Sequence, residues 1–197
     1  MFFRTESLSQ FIKQYPVVSA LVVIHGVVFI LTSLPADLGN SFMSIIMGVN
    51  FLISTGEWWR LVTPIFAHAD LWHLLFNTFS LVLFAPALER LLGHTQFIIV
   101  YLLTGIIANV ATLFIQPPLY ISVGASGAIF GLFGVYAAIL FIFKERAPTE
   151  LKQIMLPLLL ISVIMTFFTA NVNVTAHIAG LIAGFFIGLF IFYKSKQ

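Results

Sequence analysis

The sequence predicts an all-α integral membrane protein, a bundle of six transmembrane helices, and three observations carry that reading. Of 197 residues, 60% are hydrophobic and only 8% are charged, where a soluble domain carries about 25% charged residues. Mean hydropathy is +1.08. The apolar residues gather into runs of about twenty, the length a helix needs to cross the hydrocarbon core. A net charge of +2 is too small to imply nucleic acid, so the partner that composition implies is the lipid bilayer. The chain has no cysteine, which excludes disulfides, thiol catalysis and thiolate metal sites.

Taken in order, the N-terminal stretch MFFRTESLSQFIKQYP is too polar to span and is expected to be a short cytoplasmic tail over 1–16. The apolar run behind it is long for a signal-peptide core and lacks a cleavage motif, so it reads as a retained first helix. Spans are expected near 17–34, 71–92, 96–116, 124–143, 151–170 and 174–193. Residues 17–193 then form one domain, and 194–197 a second cytoplasmic tail. SFMSIIMGVNFLIS is too short to cross and belongs to a long first loop ending in GEWWRLVTPIF. The tryptophans of that loop suit the membrane interface. Pro86 and Pro157 are candidate kinks without implied chemistry.

Charge gives direction. Arg4 and Lys13 precede span one, Arg90 lies between spans two and three, and Lys144, Arg146 and Lys152 lie between spans four and five. Lys194 and Lys196 follow span six, and only Arg60 falls on the other side. The positive-inside rule therefore predicts a multi-pass protein of the cell membrane with both termini cytoplasmic. Spans two, four and six then all run from outside to inside. His73 and Asn77 begin span two, Ser126 begins span four and His177 begins span six, so four groups that handle protons converge toward the outer leaflet.

The helix faces fit that convergence. At about 100° per residue, His177, Gly180, Gly184 and Gly188 lie on one stripe about 80° wide. Gly127, Gly131 and Gly134 form a matching stripe on span four, flanked by Ser126 and Phe130. Packing the stripes together predicts a serine–histidine hydrogen bond. Glycine faces are ordinary in membrane bundles, and a serine in a membrane helix commonly bonds its own backbone. A histidine inside a span is costly and points to function. The conjunction of these groups at one depth favours chemistry.

That chemistry is nucleophilic. His177 takes the proton of Ser126, which attacks a peptide carbonyl, and returns it to the leaving amine. The backbone N–H of Ser126, at a helix start, is one oxyanion donor, and His73 and Asn77 supply two more. Asp37, Glu57 and Asp70 are the only carboxylates on the outer side, and none lies in span four or six, so a Ser–His dyad is expected. Packing against Phe130, or water, would orient the imidazole; Phe130 as plain core filling stays open. His68 lies about 140° from His73 and is expected to anchor the first loop. Asp70 is expected to cap span two, His25 to make buried packing or an interhelical bond, and His94 to lie in an inner loop remote from the site. No HExxH and no carboxylate near the histidines supports a metal centre. A transporter reading lacks intramembrane charges and paired repeats.

WR (Trp59–Arg60), HADLWHLLFN (His68–Asn77), ERLLG (Glu89–Gly93), GASG (Gly124–Gly127) and AHIAG with its spaced glycines (Ala176–Gly188) resemble the rhomboid family of intramembrane serine proteases. The resemblance covers essentially the whole chain. It implies a six-helix rhomboid-like bundle, Ser126 as nucleophile, His177 as general base, and His73 and Asn77 in the oxyanion hole. It also implies support from Gly124 and Gly127, an aromatic ring at Phe130 against the histidine, and a mainly structural His68. No cofactor or metal is implied. The implied substrates are transmembrane proteins, cleaved near the outer face at small residues with helix-weakening sequence downstream. They would enter near spans two and five, under a cap formed by the loop around Thr169–Thr175. The alternative is a catalytically silent rhomboid-like protein acting in binding or quality control.

Overall fold

The computed structural model describes residues 6–146, 149, 151–170 and 172–193. The expectations for Arg4, Lys194 and Lys196, for the tail over 194–197, and for residue 171 of the expected cap loop fall outside the described residues. In chain order the helices are α1 (Leu8–Gln14), α2 (Pro16–Thr32), α3 (Ala36–Ile46), α4 (Asn50–Ser54), α5 (Leu71–Leu92), α6 (His94–Ile115), α7 (Ser126–Phe143), α8 (Leu156–Phe168) and α9 (Val174–Tyr193). A π-helical turn, Leu151–Met155, leads into α8. Two short strands, β1 (Gly48–Val49) and β2 (Ile121–Ser122), pair antiparallel. Among the described residues, five helical stretches are long and apolar enough to cross a membrane: α5, α6, α7, 151–168 and α9; counting the bent α1–α2 pair as one span brings them to six. The chain is an all-α membrane bundle.

Observed ends lie within about two residues of the expected ones, the scatter usual for helix termini. The polar tail holds more order than its composition predicts. Ser7 accepts from the Gln10 N–H while the Gln10 side chain accepts from the Ser7 N–H, a capping box that starts α1. Between α1 and α2 the chain turns through 109°, and Pro16 opens α2 with the fixed φ that suits a first helical position. Pro157 stands in the first turn of α8, directly after the π-helical turn Leu151–Met155. Pro86 lies inside α5.

The core sits around α7, which is buried along most of its length. Leu81, Phe84 and Leu88 of α5, Phe97 and Tyr101 of α6, and Leu132, Phe133 and Tyr136 of α7 pack together. The Tyr136 hydroxyl donates to the Phe84 carbonyl at 2.6 Å, so its one buried polar atom is satisfied. Against the opposite side of α7 lies α9, with backbones in direct contact. A Cβ at Gly184 would overlap the Gly131 carbonyl, one at Gly180 the Gly127 carbonyl, and one at Gly134 the Leu181 carbonyl. The two glycine stripes meet as expected from their periodicity. By contrast α8 exposes Leu160, Ile161, Ile164, Met165, Phe167 and Phe168, an outward face suited to lipid.

Buried charge fixes the opposite end. Glu89 is fully buried, and its two carboxylate oxygens accept from the Val17 and Val18 N–H groups, both at 2.9 Å. Those donors belong to the first turn of α2, which has no internal partners for them and carries the positive end of the helix dipole. His94 Nδ1 meets the same carboxylate at 2.7 Å. His94 is the first residue of α6 rather than part of a loop, and at this end, away from Ser126, it has a bonding role that the expected loop placement concealed.

These contacts predict opposite outcomes for one added methyl group. Gly26 in α2 has nothing within 4 Å of a built Cβ, so Gly26→Ala should stabilise by about 0.5–1 kcal/mol through helix propensity. Gly184→Ala should destabilise by about 1–3 kcal/mol, because a rigid carbonyl occupies the space. Unfolding of the two purified variants in detergent, beside the parent chain, measures both.

Candidate active site

The first loop builds one wall of the site by satisfying helix ends. The last carbonyls of α3 would otherwise be orphans. Arg60 Nη1 donates to the Ser44 and Met47 carbonyls at 2.7 Å, Trp59 Nε1 to Ile45 at 3.2 Å and Thr63 Oγ1 to Ile46 at 2.7 Å. Glu57 pairs with Arg60 Nε at 2.6 Å. Asn50, also buried, donates from Nδ2 to the Thr112, Gln116 and Pro117 carbonyls and so closes the end of α6. The loop is therefore bolted to the segment that enters α7, and the β1–β2 pair completes the attachment.

From that segment Gly124 presents φ +122, a conformation that L side chains rarely adopt. Its N–H donates to the Pro64 carbonyl at 2.8 Å. A Cβ there would stand 2.6 Å from His73 Nε2 and 3.7 Å from Ser126 Oγ, so the missing side chain lets the imidazole and the serine turn face one point. Ser126 is the first residue of α7, and its N–H has no partner within the helix. Ala108 and Ala176 close on Gly127. A small cleft beside Ser126 is lined by Ile65, Asn109, Ser122, Gly124, Asn173 and Ala176.

His177 enters from α9. Asn173 sets the start of that helix: its Oδ1 accepts from the Ala176 N–H and its Nδ2 donates to Thr112 Oγ1, both at 3.0 Å. The Phe130 ring stacks on the His177 ring, centroids 4.0 Å apart and planes 16° apart. His177 Nδ1 lies 2.9 Å from Thr166 Oγ1. The expected Ser126–His177 hydrogen bond is not formed, and the Ser126 hydroxyl bonds no described residue. Catalytic hydrogen bonds are often loose without substrate and tighten when it binds. Asn77 also differs from its expected posture, since its Nδ2 donates to the His73 carbonyl at 2.8 Å. An amide nitrogen has two protons, so one donor of Asn77 stays uncommitted.

Sequence reasoning missed Thr166, Asn50 and Asn173. Thr166 had a usable signal: in the topology expected from charge, span five runs opposite to spans two, four and six, which puts residue 166, near its end, at the depth of His73, Ser126 and His177. Asp70 does cap α5, accepting from the His73 N–H at 2.9 Å.

His68 lies buried between two other imidazoles, with ring centroids 5.1 Å from His25 and 5.2 Å from His73. His25 touches Phe66 and approaches the Tyr101 hydroxyl at 3.5 Å. Burial first, and the neighbouring His25 and His73 second, hold the His68 imidazole down at about 3; the Phe66 backbone and Asp70 oppose this weakly. The unfolded chain takes up this proton near 6.5, so His68 contributes a loss of stability that begins as pH falls below about 6.5. Thermal melts in detergent from pH 7.5 to 4 should show that loss, with a shallower slope for His68→Gln.

The chain was compared with known proteins. The family model of the Rhomboid domain matches residues 55–194. A candidate rhomboid protease of Bacillus subtilis, YdcA, is 43% identical over 197 residues, covering all of this chain and 99% of its own. The B. subtilis rhomboid protease GluP is 40% identical over 140 residues, 70% of this chain and 27% of its own. Rhomboid-like protease 3 of Toxoplasma gondii is 32% identical over 146 residues, 73% of this chain and 54% of its own. The chain thus spans nearly all of YdcA, about a quarter of GluP and about half of the T. gondii protein. With helices, loop attachments and glycine contacts in this arrangement, and with these matches, the chain belongs to the rhomboid family.

Proposed function

We propose that this protein is an intramembrane serine endopeptidase that cleaves transmembrane segments of membrane proteins near the outer face, through a dyad of Ser126 and His177. The observation that carries the reading is the meeting of three helices at one end of the bundle. There α7 supplies a serine in its first turn, α9 an imidazole stacked on Phe130, and α5 His73 beside Gly124 with Asn77 one turn further on. Protease-named relatives of the same family support the reaction class.

In the reaction, His177 Nε2 takes the Ser126 proton as Oγ bonds to the scissile carbonyl carbon. The negative oxygen of the tetrahedral intermediate faces the Ser126 N–H, the free Asn77 proton and His73. The Nε2 proton then passes to the departing amine as the C–N bond breaks. Water, losing a proton to Nε2, attacks the acyl-serine carbonyl; the C–Oγ bond breaks as Nε2 returns that proton to Oγ, and the second product leaves with its new carboxyl group.

Orientation rests on the same end-to-end contrast. Lys13, Arg90, Lys144, Arg146 and Lys152 lie toward one side, by the positive-inside rule the cytoplasmic side of a cell membrane. Arg60, the exception in the charge count, is only 5% exposed and is held by Glu57 and two carbonyls, so it does not act as a free topological charge.

Purified protein in bilayers should cleave a model transmembrane substrate and take up a fluorophosphonate on Ser126. Ser126→Ala and His177→Ala should each abolish cleavage. Asn77→Ala should lower kcat by no more than about 10²–10³-fold, the worth of one oxyanion donor. Full cleavage by the Ser126→Ala protein would overturn the serine mechanism, and absence of both cleavage and labelling would favour the silent binding protein.

A further inference from the structure

We infer that Thr166 is the positioning residue of the histidine base: its hydroxyl accepts the Nδ1 proton of His177 and so leaves the Nε2 lone pair toward the Ser126 side. The inference rests on the proposed serine–histidine reading and names what orients the imidazole in it.

The argument is a count of protons. Thr166 is 3% exposed and sits in α8. Its Oγ1 lies 2.9 Å from the Ser162 carbonyl oxygen, four residues back, and 2.9 Å from His177 Nδ1. A carbonyl oxygen only accepts, so the single hydroxyl proton goes to Ser162. What remains on Oγ1 toward His177 is lone pairs, and these need a donor. A neutral imidazole has one N–H, which must then be at Nδ1. Nε2 is left unprotonated, the form a general base requires.

The geometry holds this assignment in place. A threonine on a helix splits between two χ1 rotamers, and bonding to the carbonyl one turn back selects one of them. That choice aims the lone pairs across the α8–α9 gap. Phe130 stacking fixes the plane of the His177 ring, yet a stacked face does not distinguish Nδ1 from Nε2. During catalysis Nε2 gains and returns the Ser126 proton, while the other ring proton stays on Nδ1, donated to Thr166 Oγ1 throughout. No bond to Thr166 is made or broken.

The test uses the full chain in bilayers with ¹⁵N-labelled histidine, the His177 signals being assigned by their loss in His177→Gln. The parent protein at neutral pH should show a protonated Nδ1 and an unprotonated Nε2. Thr166→Val keeps the shape but removes the acceptor, and should shift His177 toward the other tautomer. It should lower kcat by about 10- to 100-fold, a part of what general-base catalysis supplies, with KM within about twofold. Thr166→Ser restores the oxygen and should recover most of kcat and the parent tautomer. A parent spectrum with the proton on Nε2 overturns the inference whether or not the valine variant folds. So does a folded Thr166→Val with parent kcat and tautomer, or a Thr166→Ser no better than the valine. Cleavage persisting in Ser126→Ala would sink the serine mechanism instead, while the Nδ1 assignment is still judged by the spectrum.

Discussion

Everything at the end of the bundle that holds Ser126 depends on α7 and α9 touching backbone to backbone. Between apolar helices in lipid there is little hydrophobic gain, so association rests on close packing. Here that packing is glycine against carbonyl: Gly180 on Gly127, Gly184 on Gly131, and Gly134 on Leu181. The contact sets the separation of the helices, and so sets how near the ring of His177 comes to the first turn of α7. The Phe130–His177 stack at 4.0 Å follows from it, since neither ring has room to withdraw from a contact with no side chains to compress.

A second constraint is that irregular backbone at membrane depth must be satisfied by protein. The segment from Gln116 to Ala125 is irregular, and it delivers Ser126. Its carbonyls at Gln116 and Pro117 are taken by Asn50, the N–H of Gly124 by Pro64, and its strand by Gly48–Val49. The same logic explains Arg60, whose guanidinium serves carbonyls at the end of α3. Loop and site are one hydrogen-bonded body, because an unpaired backbone group there would cost more than the loop's ordering.

The features legible in the sequence were those with a period or a length. Apolar runs gave the spans to within about two residues, the glycine stripes gave the α7–α9 contact, and Asp70 before an apolar run gave the cap of α5. What stayed hidden was pairing between distant residues. Nothing near Asn50 announces that it will close α6, and nothing near Glu89 announces that it will cap α2 from 71 positions away. Polar residues of this kind carry no period, and their partners are backbone groups, which every residue has. The helical order of α1 was missed for a different reason: hydropathy alone cannot see a capping box. The sequence predicts buried packing or an interhelical bond for His25 and a loop anchor for His68, whereas the ring-on-ring contact between them is a fact of tertiary packing only.

A neutral partner for His177 also suits the solvent. A carboxylate on Nδ1 would stabilise the imidazolium more strongly, but it would have to be buried between α8 and α9 as a charge during every resting moment of the enzyme. Burying an ion costs several kcal/mol even after relaxation, and in a span that penalty falls on folding. A hydroxyl fixes the tautomer at the cost of one ordinary hydrogen bond, and its own proton is already placed on Ser162. Among the described residues one carboxylate is buried, Glu89, where two N–H groups of a helix start donate to it and the His94 ring meets it. Among the described residues no such set of donors converges on His177, and a threonine asks for none.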